Sequence, residues 1–316
     1  MTPKITIILT LKNSTEFLDK CLSSIICQTY ENLEIICINS SRAKSVKETL
    51  LKYKEKDKRI EILTCANKNI PAQINLKINE AKGEYISFIN PRDWLLLDLY
   101  ERFISFITEY KEKPDVYMFN AALYSEKIND VMPTTFFNIN NWEKQSQSPF
   151  YTFDNANKPF SENLSLVNKI FRKDFLINND IKYTNLYFQE QYLCIKSFLK
   201  AGKILLNDEI SYKQRISDEK ILNKTNETKI FDIFKIVDLI EKEINKTPLK
   251  EDLKYAFFQY KYITYSQFYA LCAQNLKKDF LNETQKRLAS KNFTNLNFNI
   301  CRRLRNYDIY ERLLKL

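Results

Sequence analysis

The sequence predicts an α/β domain, with a mostly parallel sheet flanked by helices, followed by a C-terminal helical region. Over the first half of the chain, short apolar runs rich in β-branched residues alternate with segments of helical periodicity. Such alternation is typical of βαβ units with right-handed crossovers. After residue 218 the pattern is helical almost throughout. We therefore assign residues 1–215 to the sheet domain and 216–316 to a helical, basic region.

The first half contains the elements of the predicted sheet in order. Strands are predicted where the chain is apolar over several consecutive residues, at 4–11, 33–38, 59–63, 85–89 and 115–120. The helices between them are predicted at 17–26, up to about residue 56, at 73–81 and at 98–110. Ser14 and Thr15 are candidate caps of the first helix.

The second half is less regular at first. Residues 129–160 are rich in Asn, Pro, Ser and Thr, which predicts loops with one short strand around 134–137. The pattern then predicts helices at 164–178 and 188–200, short strands at 203–206 and 210–214, and helices at 230–245 and 250–276.

The composition excludes several classes of protein. At 316 residues and 44% hydrophobic content, the chain can bury a sizeable core. It contains no histidine, and its seven cysteines lack CxxC spacing, which argues against a zinc site and a disulfide framework. The sequence shows neither a leader nor a run of 18 apolar residues, so we expect a cytoplasmic protein that does not span the membrane.

The net charge of +10 is concentrated near the C-terminus. Residues 276–316 carry ten basic and four acidic side chains, interleaved with apolar ones. This segment predicts a peripheral contact with the anionic inner face of the plasma membrane, and a solvated helical face is the alternative. No nucleic-acid-binding module accompanies the charge, so we expect no nucleic-acid partner.

Four phrases along the chain carry a family resemblance. They are TIILTLKN at 6–13, CLSSIICQTYENLEII at 21–36, KGEYISFINPRDWL at 82–95 and NKIFRKDFL at 168–176. In this order they resemble family 2 glycosyltransferases with the GT-A fold, of the bacterial capsule and lipopolysaccharide type. The resemblance implies an inverting transfer from a nucleotide-sugar donor to a glycan or lipid-linked glycan.

The resemblance also implies site residues. Glu190, in the phrase YFQEQY, occupies the place of the family's catalytic base, although a Glu in a first helical turn also commonly complements the helix N-terminus. Asp93 and Trp94 are implied on the acceptor side. The residues implied on the donor side are Thr10, Lys12, Asn13, Asn39, Ser41, Asn75, Asn90, Arg92 and Arg215.

The metal-binding motif departs from the family pattern. Where the family has the carboxylates of its DxD motif, this chain has Asn90 and Arg92, and 39–42 reads NSSR in place of the usual DDGS. A charge reversal about 4 Å from a divalent ion is worth several kcal/mol even at an effective dielectric near 20. We therefore expect no metal and no cofactor, with Mg²⁺ or Mn²⁺ retained only if Arg92 points away from the site.

Three explanations of this departure remain open. Arg92, with Lys12, Arg42 or Arg215, replaces the metal as the charge that stabilises the leaving phosphate. Alternatively, the donor is a nucleoside monophosphate sugar, or one whose base is not read by an aspartate. In the third, the domain is an inactive pseudo-transferase that binds a glycan or a partner protein.

Overall fold

A computed structural model describes residues 4–12, 16–65, 69–142, 148–153, 160, 162–216 and 227–288. The chain divides into two compact units, of which the first comprises Met1–Asn185 and Gln189–Asp218 and the second Leu186–Phe188 and Glu219–Leu316. The predicted caps Ser14 and Thr15, the predicted donor residue Asn13 and most of the basic segment 276–316 lie outside the described residues.

The parallel half of the sheet follows the predicted alternation of strands and helices. Its strands are β1 (Ile5–Leu11), β2 (Leu33–Asn39), β3 (Ile60–Thr64) and β4 (Tyr85–Ile89), arranged in the order β3-β2-β1-β4 with every pair parallel. The intervening helices are α1 (Leu18–Ile26), α2 (Lys44–Lys56) and α3 (Ile70–Glu80). The apolar faces of α1 and α2 pack with one face of β1 and β2 in a large core cluster. The residues on the other face of these strands and the inner face of α3 are buried as well. The α/β prediction is therefore confirmed.

Helix α3 starts three residues before the predicted position. Asn69 caps it, because its side-chain oxygen accepts a hydrogen bond from the amide of Ala72 at 3.2 Å. Pro71 fits the first turn, where a helix has no use for the missing amide hydrogen.

The sheet continues beyond β4 through β9 (Lys169–Arg172), β6 (Val116–Ser125), β10 (Ile204–Ile216) and β5 (Trp94–Leu95). Strand β9 is antiparallel to both of its neighbours, β4 and β6. The predicted helix at 164–178 is therefore wrong: only α5 (Lys173–Asn178) is helical. A four-residue strand carries no readable periodicity, and its position between two strands decides its structure.

Strand β10 is one continuous element rather than the two short strands predicted. It runs parallel to β6, with irregular register between Asn207 and Tyr212. The polar residues at 207–209, which resemble a turn in the sequence, form this irregularity. Asn207 accepts a hydrogen bond from the amide of Glu209 at 3.0 Å, and Asn120 of β6 donates to the carbonyl of Asp208 at 2.9 Å.

The remaining elements lie in both units. Helices α4 (Leu99–Tyr110) and α6 (Gln189–Lys200) belong to the first unit. The described residues between 129 and 160 form strands β7 (Asp130–Thr135) and β8 (Phe150–Tyr151) and a 3₁₀ turn at Ile139–Asn141. Strand β7 thus lies earlier than the predicted 134–137. The second unit contains α7 (Asp232–Asn245), α8 (Lys250–Leu271) and α9 (Lys277–Leu288). Its buried centre includes Phe234 and Phe280, whose ring centroids lie 4.6 Å apart.

None of the described helices is long and apolar enough to span a membrane. The chain contains two glycines, and neither has a positive φ angle. Among the described residues the left-handed conformation is instead adopted by Lys111, Asn129, Asp180 and Phe188, with φ angles of 52°, 49°, 50° and 63°.

Gly83, two residues before the start of β4, is required by close packing. A Cβ at this position would lie 2.5 Å from both the backbone nitrogen and the Oγ1 of Thr6 in β1, and 2.8 Å from the carbonyl oxygen of Tyr85. Two of these atoms belong to the backbone, so they cannot move away cheaply.

We expect Gly83→Ala to lower the free energy of unfolding by about 2–4 kcal/mol, since the methyl group overpacks the contact between β1 and β4. Urea unfolding followed by circular dichroism measures this. Gly202→Ala is the control, because the nearest atom to its Cβ would be Oδ2 of Asp115 at 3.7 Å. Equal losses of stability in the two variants would contradict the steric argument.

Candidate functional site

The segment after β4 forms a tight turn, and its side chains are not arranged as ligands of a metal ion. The amide of Asp93 donates to the carbonyl of Asn90 at 3.0 Å, which closes a β-turn with Pro91 in its second position. The side-chain oxygen of Asn90 accepts from the amide of Arg92 at 3.1 Å. Asparagine suits this turn because its side chain bonds to the backbone two residues on.

Asp93, predicted on the acceptor side, is 2% exposed and bonds to strand β10. One carboxylate oxygen accepts from the hydroxyl of Tyr212 at 2.7 Å and the other from the amide of Arg215 at 2.9 Å. Burial raises the pKa of Asp93 to about 6, although these hydrogen bonds and the charges of Arg92 and Arg215 act in the opposite direction. Asp93 thus connects the turn after β4 to strand β10, and its buried carboxylate is not accessible to an acceptor.

Arg215 is held in place by several partners. Its Nε donates to the carbonyl of Arg92 at 3.1 Å, and its guanidinium group pairs with Glu126. The guanidinium carbon also lies 3.7 Å from the centroid of the Phe17 ring. Arg215 is 8% exposed, and its charge is already paired with Glu126. A donor phosphate would have to compete with Glu126 for it.

Arg92 is the less engaged of the two arginines. Its guanidinium carbon lies 5.6 Å from the centroid of Phe17, and it forms no ion pair with any residue in the described part of the chain. The side chain is half-buried. It is therefore a positive charge that the neighbouring described carboxylates leave available.

Trp94, the other residue predicted on the acceptor side, is 9% exposed and lies in an aromatic and cationic stack. The Nζ of Lys20 lies 3.7 Å from its ring centroid, and the ring of Tyr124 meets it edge-on at 4.9 Å. Burial, followed by the charges of Arg215 and Lys213, lowers the pKa of Lys20. Sequence reasoning missed Lys20, since a lysine on a helix gives no signal of its own, and it interpreted Lys213 as part of a solvated basic turn.

Polar residues also follow β1 and β2, where a parallel sheet places ligands. Thr10 is half-buried near the end of β1, beside Ile38 of β2, and Lys12 is exposed directly after the strand. Asn39 is buried and accepts from the amide of Ser41 at 2.9 Å, and Ser41 accepts from the amide of Ala43 at 3.2 Å. Because β1, β2 and β4 are adjacent and parallel, these residues and the turn after β4 share one edge of the sheet.

Asn75, predicted on the donor side, does not offer its amide to this edge. Its Nδ2 donates to the carbonyl of Tyr183 and its Oδ1 accepts from the amide of Tyr183, both at 2.8 Å. Both polar atoms of the side chain therefore fix α3 to the segment that leads towards α6.

Glu190, the predicted base, lies in the first turn of α6. The hydroxyl of Ser165 donates to its Oε2 at 3.1 Å, and the backbone amide of Leu166 also favours the ionised carboxylate. The pKa of Glu190 is raised because surrounding protein desolvates the carboxyl group, while Ser165, Leu166 and the charge of Lys169 act in the opposite direction. The side chain nevertheless remains exposed to solvent.

The residues at the DxD position do not fit a divalent cation. Asn90 uses its side-chain oxygen in the turn, Arg92 is a cation, and both oxygens of Asp93 accept internal hydrogen bonds. Within the described ranges, no cluster of three or more Asp, Glu, Cys or His side chains is placed to hold a metal.

Comparison with known proteins adds family information to this geometry. The sequence model described as glycosyl transferase family 2 matches residues 6–178, more than half of the chain. "Glycosyltransferase GlyA" of Streptococcus pneumoniae is 35% identical over 122 residues, which cover 38% of this chain and 18% of the relative. "Putative glycosyltransferase EpsH" of Bacillus subtilis is 30% identical over 103 residues, covering 33% and 30%. The matched region thus spans less than a third of either relative.

Solved structures resemble the chain over more of its length. S. aureus TarS 1–349 in complex with UDP-GlcNAc superposes with a TM-score of 0.70 at 18% identity, covering 90% of this chain and 81% of that one. The mannosyltransferase PcManGT from Pyrobaculum calidifontis, in complex with GDP-Man and Mn²⁺, gives a TM-score of 0.55 at 9% identity, covering 99% and 84%. At these identities the likeness establishes the fold alone.

The raised pKa of Asp93 predicts a pH-dependent stability. A carboxyl group with a pKa near 6 in the folded protein and near 4 when unfolded stabilises the fold below about pH 4 and loses that contribution as the pH rises through 6. Relative to wild type, Asp93→Asn should therefore gain on the order of 2–3 kcal/mol between pH 4 and pH 8. Thermal unfolding across this range measures the difference.

Asp57→Asn is a control of opposite sign. Although burial alone would raise the pKa of Asp57, hydrogen bonds and the charge of Arg59 lower it. This variant should therefore lose stability relative to wild type as the pH rises from acid. A difference between Asp93→Asn and wild type that is constant across the range would contradict the assignment of Asp93.

Proposed function

Since the chain belongs to glycosyl transferase family 2, we propose that it transfers a sugar from a nucleotide-sugar donor to a hydroxyl group of a glycan or lipid-linked glycan. Its fold is the GT-A fold that the sequence predicts, an α/β sheet flanked by helices with further helices towards the C-terminus. The observation that carries the proposal is the family match over residues 6–178. The matched region contains β1, β2 and β4, and we call the sheet edge at their carboxyl ends the donor edge. TarS, bound to UDP-GlcNAc, supports a nucleotide-sugar donor.

We assign the role of general base to Glu190. The acceptor hydroxyl attacks the anomeric carbon, its proton passes to the Glu190 carboxylate, and the bond from that carbon to the donor phosphate breaks, with the electron pair leaving on the nucleotide. This single displacement inverts the anomeric centre. A raised pKa suits a base that must accept a proton near neutral pH.

The departing phosphate requires positive charge. Arg92 supplies it in this proposal, because a guanidinium group binds phosphate oxygens in a bidentate manner and Arg92 has no acidic partner among the described residues. Lys12, exposed at the same edge, is a second cation. The reaction is then metal-independent.

A pseudo-transferase is the second candidate function. It is favoured by the internal use of Asn90, Asp93 and Arg215, which the resemblance implies as donor-side or acceptor-side contacts. Such a protein would retain the fold and bind a glycan or a partner of the same biosynthetic machinery. Turnover separates the two functions.

We expect Glu190→Gln to reduce turnover by about 10²–10⁴-fold, because the amide cannot accept the acceptor's proton. Nucleotide release from a panel of UDP-, GDP- and CMP-sugars measures it. Glu55→Gln, an exposed change on α2, is the control and should retain full activity. Full turnover in Glu190→Gln would remove Glu190 as the base, and no turnover by the wild type with any donor would favour the pseudo-transferase.

We expect Arg92→Ala to weaken donor binding by about 10- to 100-fold, because the phosphates lose their charge-assisted contact. Calorimetry with UDP-GlcNAc and GDP-mannose measures this, with Lys54→Ala of α2 as the control. Wild-type affinity should be the same with Mn²⁺ and with a chelator. Binding that requires Mn²⁺ would show that Arg92 does not replace the metal.

The basic segment 276–316, mostly outside the described residues, leads us to propose a peripheral membrane contact at the cytoplasmic face. The full-length chain should sediment with phosphatidylglycerol vesicles but not with phosphatidylcholine vesicles. Replacing Arg302, Arg303 and Arg305 by Glu should abolish this. Equal sedimentation of the variant and the wild type would contradict the proposal.

A further inference from the structure

We propose that Lys169 is the positioning residue of the candidate base: its buried ammonium group shapes loop 163–166 so that two hydrogen-bond donors of the loop face the Glu190 carboxylate. The inference rests on the proposed role of Glu190 and deepens it. Lys169 itself touches no substrate in this scheme, because it acts through the loop.

Burial lowers the pKa of Lys169, but the three oxygens around its Nζ favour the charged form. The residue is 0% exposed, and its Nζ donates to the carbonyl of Asn163 at 3.0 Å, to the carbonyl of Ser165 at 2.6 Å and to Oδ1 of Asn168 at 2.7 Å. An ammonium group has three N–H donors for these three oxygens, whereas a neutral amine has two.

This charge is costly to bury. Lys169 forms no direct ion pair with a carboxylate among the described residues, so its Nζ contacts only neutral oxygens, while Glu162 and Glu190 act on its charge from a greater distance. Burying a lysine in this way costs stability that an apolar side chain would not. The cost indicates a task other than packing.

The task follows from the direction of the loop peptides. The carbonyls of Asn163 and Ser165 face Lys169, and the carbonyl of Leu164 accepts from the thiol of Cys194 at 3.2 Å. In a planar trans peptide the N–H points away from the C=O. Because the carbonyl of Ser165 faces inward, the amide of Leu166 faces the opposite side, from which it favours the ionised form of Glu190.

The hydroxyl of Ser165 reaches the same carboxylate at 3.1 Å. The arrangement is anchored to the sheet, since Asn168 donates to the carbonyl of Phe119 in β6 at 3.1 Å. Lys169 therefore connects a fixed strand to the loop whose Ser165 hydroxyl and Leu166 amide face the base. A carboxylate oriented by such a loop presents a defined lone pair to an incoming hydroxyl.

Among the described residues, four charged or titratable side chains surround Glu190 and its loop: Lys169, Tyr183, Cys194 and Glu162. Lys169 and the two loop donors favour its ionised form, Tyr183 and Cys194 lie nearby, and Glu162 faces Lys169. Burial raises the pKa of Cys194 to about 12, so its thiol stays protonated as a donor to the loop. Removing the hydroxyl of Ser165 or the charge of Lys169 should therefore raise the pKa of Glu190.

The experiment measures that pKa directly. Carboxyl ¹³C resonances of glutamate-labelled full-length protein are titrated by NMR, and the Glu190 signal is identified by its absence in Glu190→Gln. Ser165→Ala should raise the pKa of Glu190 by roughly half a unit to one unit. Lys169→Met should shift it further in the same direction. The acidic limb of the pH profile of kcat/KM should move to higher pH by the same amount.

Lys196→Met is the matched control. Lys196 is also a buried lysine, on α6, but its Nζ donates to the carbonyl of Asp180 at 2.7 Å. The Lys196→Met variant should be less stable than the wild type but should leave the pKa of Glu190 unchanged. If Lys169→Met does not fold, Ser165→Ala decides alone, and an unchanged Glu190 pKa in that variant overturns the proposal. Full turnover in Glu190→Gln would instead refute the role of Glu190 while leaving the NMR result intact.

Discussion

The contact between Asp93 and strand β10 is the interaction on which the donor edge depends. The two carboxylate oxygens of Asp93 accept hydrogen bonds from the hydroxyl of Tyr212 and the amide of Arg215, so the turn after β4 and the end of β10 are fixed to each other. Tyr212 in turn accepts from the amide of Asn90 at 3.3 Å. Once these bonds exist, the carbonyl of Arg92 faces Arg215, and the turn has one defined shape. Buried networks of this kind hold a single conformation because each lost bond leaves a polar group unpaired.

The first unit thus contains two polar clusters with different designs. At the donor edge, one buried carboxylate orders arginines and aromatic rings, and positive charge is left over on Arg92. Around Glu190 the roles are reversed, since one buried ammonium group orders a loop and leaves a carboxylate accessible. In both cases the buried charged group does not face solvent itself. The buried Asp93 and Lys169 instead determine that a group of the opposite sign, Arg92 or Glu190, is accessible.

The sequence predicts β4 to the residue, because its apolar run is buried and is bounded by Gly83 and the turn at Asn90. It mispredicts β9, where four residues between two strands follow their neighbours rather than a period of their own. Sequence position alone places Asn90 and Arg92 correctly at the end of a parallel strand. It could not show that Asn75 would bond to Tyr183, which is 108 residues away, or that Asp93 would be buried, since both depend on long-range contacts.

The scarcity of glycine affects the chain before it folds. Glycine gives an unfolded chain its greatest backbone freedom, and this chain has two glycines in 316 residues. The entropy lost on folding is correspondingly reduced, whereas Lys111, Asn129, Asp180 and Phe188 adopt backbone angles in the folded state that glycine would adopt without strain. Part of the stability of this fold therefore comes from the restricted denatured ensemble, where no contact of the folded structure can reveal it.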